Sequence, residues 1–224
     1  MDRRRLFSLT ALGLAWATGS AGASKVPTEW DGLSRVKSKR LEYVFLAPGA
    51  DFRPYSKVQL DPTEIAFKKN WQRDYNRDTR GLSGRISDSD VQRVIVEGGA
   101  AASTIFAEAF AAGGYPVATA PAADVLRIRT AVVNISVTAP DVPMAGRSRT
   151  FASEAGYASL ILEARDSMTG ALLGRAVDHS LAGDTAALMR NRVTNRADFR
   201  QVVKVWAKNS VLGLNLLKTS TTVA

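Results

Sequence analysis

The sequence predicts an α+β fold, a two-layer sandwich in which two long helices cover one face of a mostly antiparallel sheet. Residues 157–181 form two runs of alternating apolar and polar side chains around a turn-like segment, which is the pattern of a β-hairpin. Residues 87–113 and 195–217 each repeat apolar residues at three- and four-residue steps, which is the pattern of an amphipathic helix. The other apolar runs are short and end at proline, glycine or aspartate, as strands do.

Residues 1–23 predict a cleavable signal peptide. Three arginines at positions 3–5 precede an apolar run at 6–17, and the small residues Ala21, Gly22 and Ala23 follow, which is the order of a secretory signal. The run is shorter than the roughly 20 residues that a membrane-spanning helix needs. Arg4 and Arg5 before Leu6 also resemble a twin-arginine signal, so general secretion and twin-arginine export both stay open. Either route predicts a periplasmic or secreted protein.

The amino-acid composition limits which kinds of functional site and partner we expect. The chain has no cysteine, so we expect no disulfide, no thiolate metal site, no catalytic thiol and no lipoprotein anchor. Removing residues 1–23 takes away three arginines and one aspartate and lowers the net charge from +9 to +7. A basic exported protein can contact anionic lipid head groups. Peripheral membrane contact therefore stays an alternative, and we expect no transmembrane segment in the mature chain.

The mature chain reads as an extended leader at 24–40, a single α+β domain at 41–218 and a frayed tail at 219–224. Alternating residues after the leader predict a first strand that stops at Pro48 and Gly49. Short strands are predicted at 41–47, 57–60, 64–67 and 115–118. A long strand is predicted at 124–138. Its alternation changes phase between Ile128 and Val133, so we expect a β-bulge at 130–132.

The most polar stretch, residues 68–85, predicts a mobile or partner-facing loop. Its candidate contact residues are Lys68, Lys69, Trp71, Arg73, Tyr75, Arg77 and Arg80. Aromatic residues among lysines and arginines can stack on nucleic-acid bases. Asp74 and Asp78 interrupt the positive field, however, and an export signal takes the chain away from nucleic acid. We therefore expect an envelope protein or polymer as the partner, and no nucleic acid.

The first long helix should begin at Ser87, whose hydroxyl can cap the helix while Asp90 sits three residues later. Gly98 and Gly99 in its middle favour close packing on a sheet, and Gly113 should end it. The second helix should begin at Asn195, and its buried stripe is centred on Trp206, which we expect to be the large structural anchor.

The sequence contains no recognisable set of catalytic or metal-binding residues. His179 is the chain's one histidine, and Asp178 and His179 are neighbours on a strand, so their side chains point to opposite faces. Asp166, Thr169 and Asp178 match no calcium loop, so we expect Asp166, Thr169 and Gly170 to shape the hairpin turn and Asp178 to be structural. No cofactor is expected. The alternative is a hydrolase that uses Asp166, Asp178 or His179.

Several short motifs follow one another in an order that resembles a bacterial family known as domain of unknown function 3313. They are Trp30-Asp31-Gly32-Leu33, Tyr55 with Val58, Leu60, Asp61 and Pro62, the run 124–129, Glu163-Ala164-Arg165-Asp166-Ser167 with Thr169 and Gly170, Val177-Asp178, and Trp206-Ala207. The resemblance spans residues 30–217 and implies an exported envelope protein without assigned activity. Many members look like lipoproteins with a cysteine after the signal, which this chain lacks. The family supplies no catalytic residues.

These expectations combine into one functional hypothesis. We expect a periplasmic, non-catalytic α+β domain that binds an envelope protein or polymer through a sheet edge or through residues 68–85. The hydrolase and a basic protein resting on anionic lipid are the alternatives.

Overall fold

The computed structural model describes residues 27–78, 85–137, 150–152, 156–182, 188–190 and 192–219. The prediction of an α+β fold is confirmed, because a mixed sheet of eight strands and three helices form over these residues. The strands are β1 Glu29–Trp30, β2 Leu33–Val36, β3 Tyr43–Leu46, β4 Lys57–Leu60, β5 Glu64–Phe67, β6 Val125–Val137, β7 Thr150–Ala152, β8 Gly156–Asp166, β9 Leu172–Ala182 and β10 Leu188–Arg190. The helices are α1 Trp71–Asp78, α2 Asp88–Ala112 and α3 Arg192–Thr219.

The main sheet is built around the β8–β9 hairpin. Its strand order is β1-β2-β3-β9-β8-β6, and β4 and β5 lie end to end along the far side of β6. Both of these strands run parallel to β6, whereas the other described pairings of this sheet are antiparallel. The chain leaves β5, passes through α1 and α2, and returns as β6. Separately, β7 pairs with β10.

One apolar core joins the sheet to both long helices. The alternating face of β8 is buried, as the sequence predicts, and it contributes Ala158, Leu160, Leu162 and Ala164. Helix α2 contributes Ala102, Ile105, Phe106 and Phe110, and α3 contributes Val203, Trp206, Ala207, Val211 and Leu214. Burying this apolar surface is the main source of the fold's stability. The finer prediction, a two-layer sandwich with both helices on one face, stays a prediction.

Helix α2 begins with the predicted capping box. Ser87 accepts a hydrogen bond from the Asp90 backbone N–H, and the Asp90 carboxylate accepts one from the Ser87 backbone N–H. Gly113 caps the other end. An added Cβ at Gly99 would lie 3.0 Å from the Thr63 carbonyl oxygen, so a glycine lets α2 lie close to the chain entering β5. This is the close packing that the paired glycines predict.

Helix α2 is also long and apolar enough to cross a membrane by length and composition, with a mean hydropathy of 1.4 over the relevant window. About a fifth of that window, 22%, is buried in the fold. A helix that packs on a sheet within a folded domain passes the same test. Here the four buried side chains of α2 all belong to the common core.

The two long helices run side by side in the same direction. Arg196 in the first turns of α3 contacts Glu97 of α2, while Val211 reaches Gly113 and Asn215 accepts a hydrogen bond from Tyr115 at the other end. The backbone φ of Gly113 is −81°, a value that any residue adopts, so its conformation alone does not require glycine. The glycine is therefore required by the approach of Val211 and not by backbone strain.

We expect Gly113→Ala to lower the free energy of unfolding by about 1–3 kcal/mol, the usual cost of overpacking a core. An added Cβ would lie 2.3 Å from Val211 Cγ1, and a helical valine is stiff at χ1. Urea denaturation measures the change. Gly213→Ala is the matched control, because a Cβ there meets nothing within 4 Å. It should raise stability by up to about 1 kcal/mol through helix propensity. A Gly113→Ala protein as stable as wild type would contradict the tight contact.

The predicted extended leader is wrong in part, because residues within it form β1 and β2. Asp31 and Gly32 connect these strands with φ values of 53° and 78°, as a two-residue hairpin turn requires. Strand β2 pairs with β3, which adds the hairpin to the edge of the main sheet. The start of α3 also differs from the prediction, since the helix begins at Arg192 and not at Asn195.

Two strand predictions need correction. Residues 115–118 form only an isolated bridge, between Val117 and Val58, because Pro116 lacks the N–H that a longer ladder needs. The predicted bulge in β6 exists but lies between Val133 and Ser136, where Asn134 has a φ of 54°. Asparagine adopts this left-handed conformation more readily than most residues. Residues 1–23, 139–149, 183–187 and 220–224, on which other predictions rest, lie outside the described residues.

Candidate partner-binding surface

Residues 71–78 form the helix α1, so the prediction of a loop is wrong for this stretch. Trp71 stacks on Phe67 with ring centroids 4.5 Å apart, and Tyr75 stacks on Trp71 at 6.2 Å. The indole Nε1 of Trp71 also donates to the Val137 carbonyl oxygen at 3.3 Å. Trp71 and Tyr75 are four residues apart and therefore share one helix face. This aromatic stack anchors α1 to the ends of β5 and β6.

A second set of contacts fixes α1 to the chain that enters α2. The Asn76 side chain accepts a hydrogen bond from the Ile86 backbone N–H and donates one to the Ile86 carbonyl oxygen, both at 2.8 Å. Gln72 donates to the same carbonyl at 3.1 Å and to Asp88 at 2.8 Å. The helix is therefore held on two sides.

The basic side chains of this region point outward. Lys68 and Lys69 are exposed, and the side chains of Arg73 and Arg77 are 68% and 70% exposed. Asp74 lies 3.0 Å from Arg73 and 3.9 Å from Arg77, but exposed ion pairs of this kind hold little energy. We call Lys68, Lys69, Arg73 and Arg77 the α1 basic surface. Arg80, the last predicted contact residue, lies outside the described residues.

Asp166 organises the hairpin turn between β8 and β9. Its carboxylate accepts hydrogen bonds from the backbone N–H groups of Met168 and Thr169 and from the Thr169 hydroxyl, while Gly170 takes a φ of 75°. Tyr55 donates to the same carboxylate at 2.8 Å. The backbone hydrogen bond from Thr169 is the largest cause of the lowered pKa of Asp166. Burial, and then the hydrogen bond that Tyr55 donates to Asp166, raise the pKa of Tyr55 to about 12.

Asp178 joins the sheet to α3. Its carboxylate accepts a hydrogen bond from Trp206 Nε1 at 2.9 Å and one from the Glu42 backbone N–H at 3.1 Å. Burial raises the pKa of Asp178 above its usual value. His179, the next residue, is exposed, and its Nδ1 lies 2.7 Å from the Glu42 carboxylate.

The structure does not bring the three predicted alternatives for catalysis together. Asp178 lies opposite Leu160, six residues along β8 from Asp166, which is about 20 Å of strand. Each of the three, Asp166, Asp178 and His179, is engaged in the contacts described above. Among the described residues, no group of three or more histidines, cysteines, aspartates or glutamates could hold a metal ion.

A cluster of charges on the sheet was not predicted. Arg175, whose side chain is 4% exposed, donates to Glu163 Oε1 through Nη2 at 2.7 Å and to Asp31 at 2.7 Å. The Trp30 ring covers its guanidinium at 4.1 Å. Arg165 donates to the other oxygen, Glu163 Oε2, at 2.9 Å. We call Asp31, Glu163, Arg165 and Arg175 the sheet-face charge cluster.

The cluster keeps a buried carboxylate ionised. Burial acts to raise the pKa of Glu163, but the hydrogen bonds from Arg175 and Arg165 outweigh it, and the pKa is lower than usual. All the arginine donors named here are used within the protein. The cluster therefore fastens the β1–β2 turn to β8 and β9.

The comparisons with known proteins give a family and distant structural likenesses. No curated protein matches the sequence. The PelC dodecamer from Paraburkholderia phytofirmans is 14% identical, with a TM-score of 0.36 over 74% of this chain and 95% of that chain. A DUF330 family protein from Xanthomonas campestris is 13% identical, with a TM-score of 0.35 over 79% and 94%. A DUF4136 family protein from Bacteroides thetaiotaomicron is 12% identical, with a TM-score of 0.36 over 84% and 98%.

Family membership rests on a separate match. The family DUF3313, described as a protein of unknown function, matches residues 23–210. This range includes β1 to β10, α1, α2 and two thirds of α3. The resemblance inferred from the motifs is thereby confirmed, and the chain belongs to the DUF3313 family.

Proposed function

We propose that the chain is an exported, non-catalytic module of the cell envelope that binds an acidic partner, protein or polymer, through the α1 basic surface. The observation that carries the proposal is the way α1 is held. The aromatic stack and the Asn76 contacts fix the helix on two sides, and its two arginines and the two lysines that precede it are exposed. A fixed helix that presents positive charge suits recognition, because little conformational freedom is lost on binding.

The structural roles of the candidate catalytic groups support the non-catalytic part of the proposal. Asp166 shapes a turn, Asp178 holds Trp206, and His179 pairs with Glu42 at the surface. A relay of such groups would need them within hydrogen-bond reach of one another. The cationic start and apolar run of residues 1–23 support location in the envelope. The family match beginning at residue 23 agrees with that division of the chain.

We also infer that α2 and α3 lie together on one face of the sheet, as the predicted two-layer sandwich requires. Support comes from the common core, in which side chains of both helices and of β6 and β8 are in contact. On this inference α2 is a core helix and crosses no membrane.

Reversing three charges of the α1 basic surface should reduce recovery of the partner. We expect Lys68→Glu/Lys69→Glu/Arg73→Glu to recover about tenfold less partner, or less still, because attraction becomes repulsion. The measurement is a pull-down from the membrane-free soluble fraction of the cell envelope, with recovery quantified against wild type.

The chain offers a matched control in Arg200→Glu/Lys204→Glu/Lys208→Glu, which reverses two exposed lysines and one exposed arginine on α3. This variant should recover the partner as wild type does. Equal recovery by the α1 variant and wild type would remove the α1 basic surface from the proposal. Equal losses from both variants would show a dependence on net charge alone, which also contradicts a defined surface.

A further inference from the structure

Helix α3 carries a regular stripe of basic residues on its outer face. Arg196, Arg200, Lys204 and Lys208 follow one another at four-residue intervals, which places them along one side of the helix. All four are exposed. At 1.5 Å per residue the stripe is about 18 Å long. The whole helix contains six lysines and arginines and one acidic residue, Asp198.

Most of this charge is not neutralised within the protein. Arg196 contacts Glu97 of α2. Among the described residues, Arg200, Lys204 and Lys208 form no ion pair. The arginines on the sheet differ, since Arg127, Arg129, Arg165 and Arg175 all contact carboxylates. Apart from Glu97 and the two aspartates in the first turn of α2, helices α2 and α3 contain two acidic residues. They are Asp198, which is half-buried and has contacts of its own, and the exposed Glu108.

Apolar side chains border the same stripe. Val205 follows Lys204 directly and is 46% exposed, and Leu216 lies eleven residues, or about three turns, further along the same side at 52%. A helix in which basic residues adjoin exposed apolar ones can lie in the plane of a membrane surface. Its lysines and arginines extend to the head groups while the apolar side chains meet the acyl boundary.

We propose that the outer face of α3 rests on an anionic lipid surface, with Arg200, Lys204 and Lys208 binding phosphate head groups. The positive charge of the stripe favours an anionic partner. The arrangement of its side chains favours a lipid surface over a protein. A specific protein interface concentrates binding in a central, buried cluster of aromatic or arginine anchors. The stripe has evenly spaced, flexible side chains and isolated apolar neighbours instead. Lipid head groups can rearrange around such side chains, and no fixed complementary shape is needed.

This proposal does not depend on the proposed function, because the α3 stripe and the α1 basic surface lie on different helices and share no residue. Each basic residue close to an anionic leaflet strengthens association roughly fivefold. Replacing three of them should therefore weaken binding by roughly 100-fold. Added salt should weaken binding of the wild-type protein as well, because the contacts are exposed and screened.

The test compares Arg200→Gln/Lys204→Gln/Lys208→Gln with the control Lys37→Gln/Lys39→Gln/Arg40→Gln, whose three residues are exposed between β2 and β3. Both variants lose the charge of two lysines and one arginine, and neither changes a buried residue. Binding of the full chain is measured by co-sedimentation with vesicles of phosphatidylcholine containing about one third phosphatidylglycerol, and with phosphatidylcholine alone. Residues 1–23 are common to all proteins, so their contribution cancels between variants. Circular dichroism and the urea midpoint confirm that each variant is folded.

We expect wild type and the control variant to bind the phosphatidylglycerol vesicles alike, with binding lost at raised salt, and the α3 variant to bind roughly 100-fold more weakly. Equal binding by the α3 variant and wild type overturns the proposal. Equal losses from the two variants overturn it too, because net charge would then suffice. Soluble polyglutamate serves as a separate probe. If it binds the stripe as tightly as the vesicles do, an acidic protein replaces lipid as the partner.

Discussion

Replacing Trp206 with alanine is expected to lower the free energy of unfolding by about 3–5 kcal/mol, the usual range for removing a large aromatic side chain from a core. Trp206 is 1% exposed and is the largest of the fully buried side chains. Typical domains unfold at a total cost of about 5–15 kcal/mol, so the variant is expected to be only marginally folded. The shift of the urea midpoint measures the effect.

Part of this loss comes from the hydrogen bond to Asp178. Trp206 Nε1 donates to a carboxylate that burial already disfavours in its ionised form. Trp206→Phe keeps a large aromatic side chain in the core but removes the donor and the smaller ring of the indole. We expect the lost hydrogen bond to a charged group to cost about 1.5–3 kcal/mol, and the lost ring volume to add to it. It should also raise the pKa of Asp178 further, because a bond to the ionised form is lost.

Val205→Ala is the control for both Trp206 variants. Val205 precedes Trp206 in the same helix but is 46% exposed, so its truncation should change stability by less than about 0.5 kcal/mol. If Trp206→Ala were no more destabilising than Val205→Ala, α3 would not be anchored to the sheet through Trp206.

The elements that the sequence predicts correctly are those defined by neighbouring residues. The capping box of Ser87 and Asp90 involves residues three apart, and the turn at Asp166 and Gly170 spans five residues. Both can be recognised without knowledge of the rest of the fold. The buried stripe of α3 is equally local, since helical periodicity alone places Val203, Trp206 and Ser210 on one side.

The first hairpin was missed although its turn carries a recognisable signal. An Asp-Gly pair, Asp31-Gly32, between strands is a strong indication of a two-residue hairpin. The flanking strands are only two and four residues long, so no alternation can be read from them. Their pairing depends on β3, and β3 in turn pairs with β9 far along the chain. The hairpin is therefore fixed by tertiary contacts.

The misplaced bulge has a similar explanation. Val132 and Val133 are both apolar, so the sequence shows that a phase change must occur but not between which residues. The structure keeps Val132 fully buried and places the irregularity at Asn134. The left-handed preference of asparagine was the available signal.

The sheet-face charge cluster could not be predicted from patterning alone. Asp31 and Arg175 are 144 residues apart, and they meet because β9 lies between β8 and β3. Charged residues that alternate with apolar ones along a strand ordinarily face solvent. Only the register, in which Glu163 lies opposite Arg175, shows that they are paired and buried. For α1, the four-residue spacing of Trp71 and Tyr75 was a signal for a helix, but the high charge of residues 68–85 favoured a loop.

The second large effect is expected at Arg175. Arg175→Met retains much of the side-chain volume but leaves the buried Glu163 with its contacts to Arg165 and no partner on β9. It also removes the cation under Trp30 and the anchor of Asp31. Breaking a buried ion pair in this way costs about 3–5 kcal/mol. We expect a urea midpoint lowered accordingly.

Arg127→Met is the matched control on the same sheet. Arg127 also pairs with a carboxylate, Asp61 at 2.9 Å, but its side chain is 45% exposed, against 4% for Arg175. An exposed pair is worth up to about 1 kcal/mol, so this variant should be nearly as stable as wild type. Similar losses from both variants would show that burial of Arg175 contributes nothing.

A double-mutant cycle isolates the pair itself. Glu163→Gln/Arg175→Met should lose less stability than the sum of the two single variants, by about 1–3 kcal/mol. The reason is that neither charge is left buried without the other. Additive losses would mean that Arg175 acts mainly through Trp30 and Asp31 and that its bond to Glu163 is unimportant.

The pH dependence of stability distinguishes Glu163 from Asp178, two acids of the β8–β9 hairpin whose pKa values are shifted in opposite directions. The pKa of Glu163 is lower than its ordinary 4.5, so its contribution to stability is present above that pH and is lost as the pH falls through the folded-state pKa. The deficit of Glu163→Gln relative to wild type should therefore shrink on acidification. The pKa of Asp178 is raised above 3.8, so the folded state binds its proton more tightly and the contribution grows as the pH falls. The difference between wild type and Asp178→Asn should change in the opposite direction. Urea unfolding of the three proteins at neutral and acidic pH measures both slopes, and slopes of the same sign would contradict the opposite environments of these two carboxyl groups.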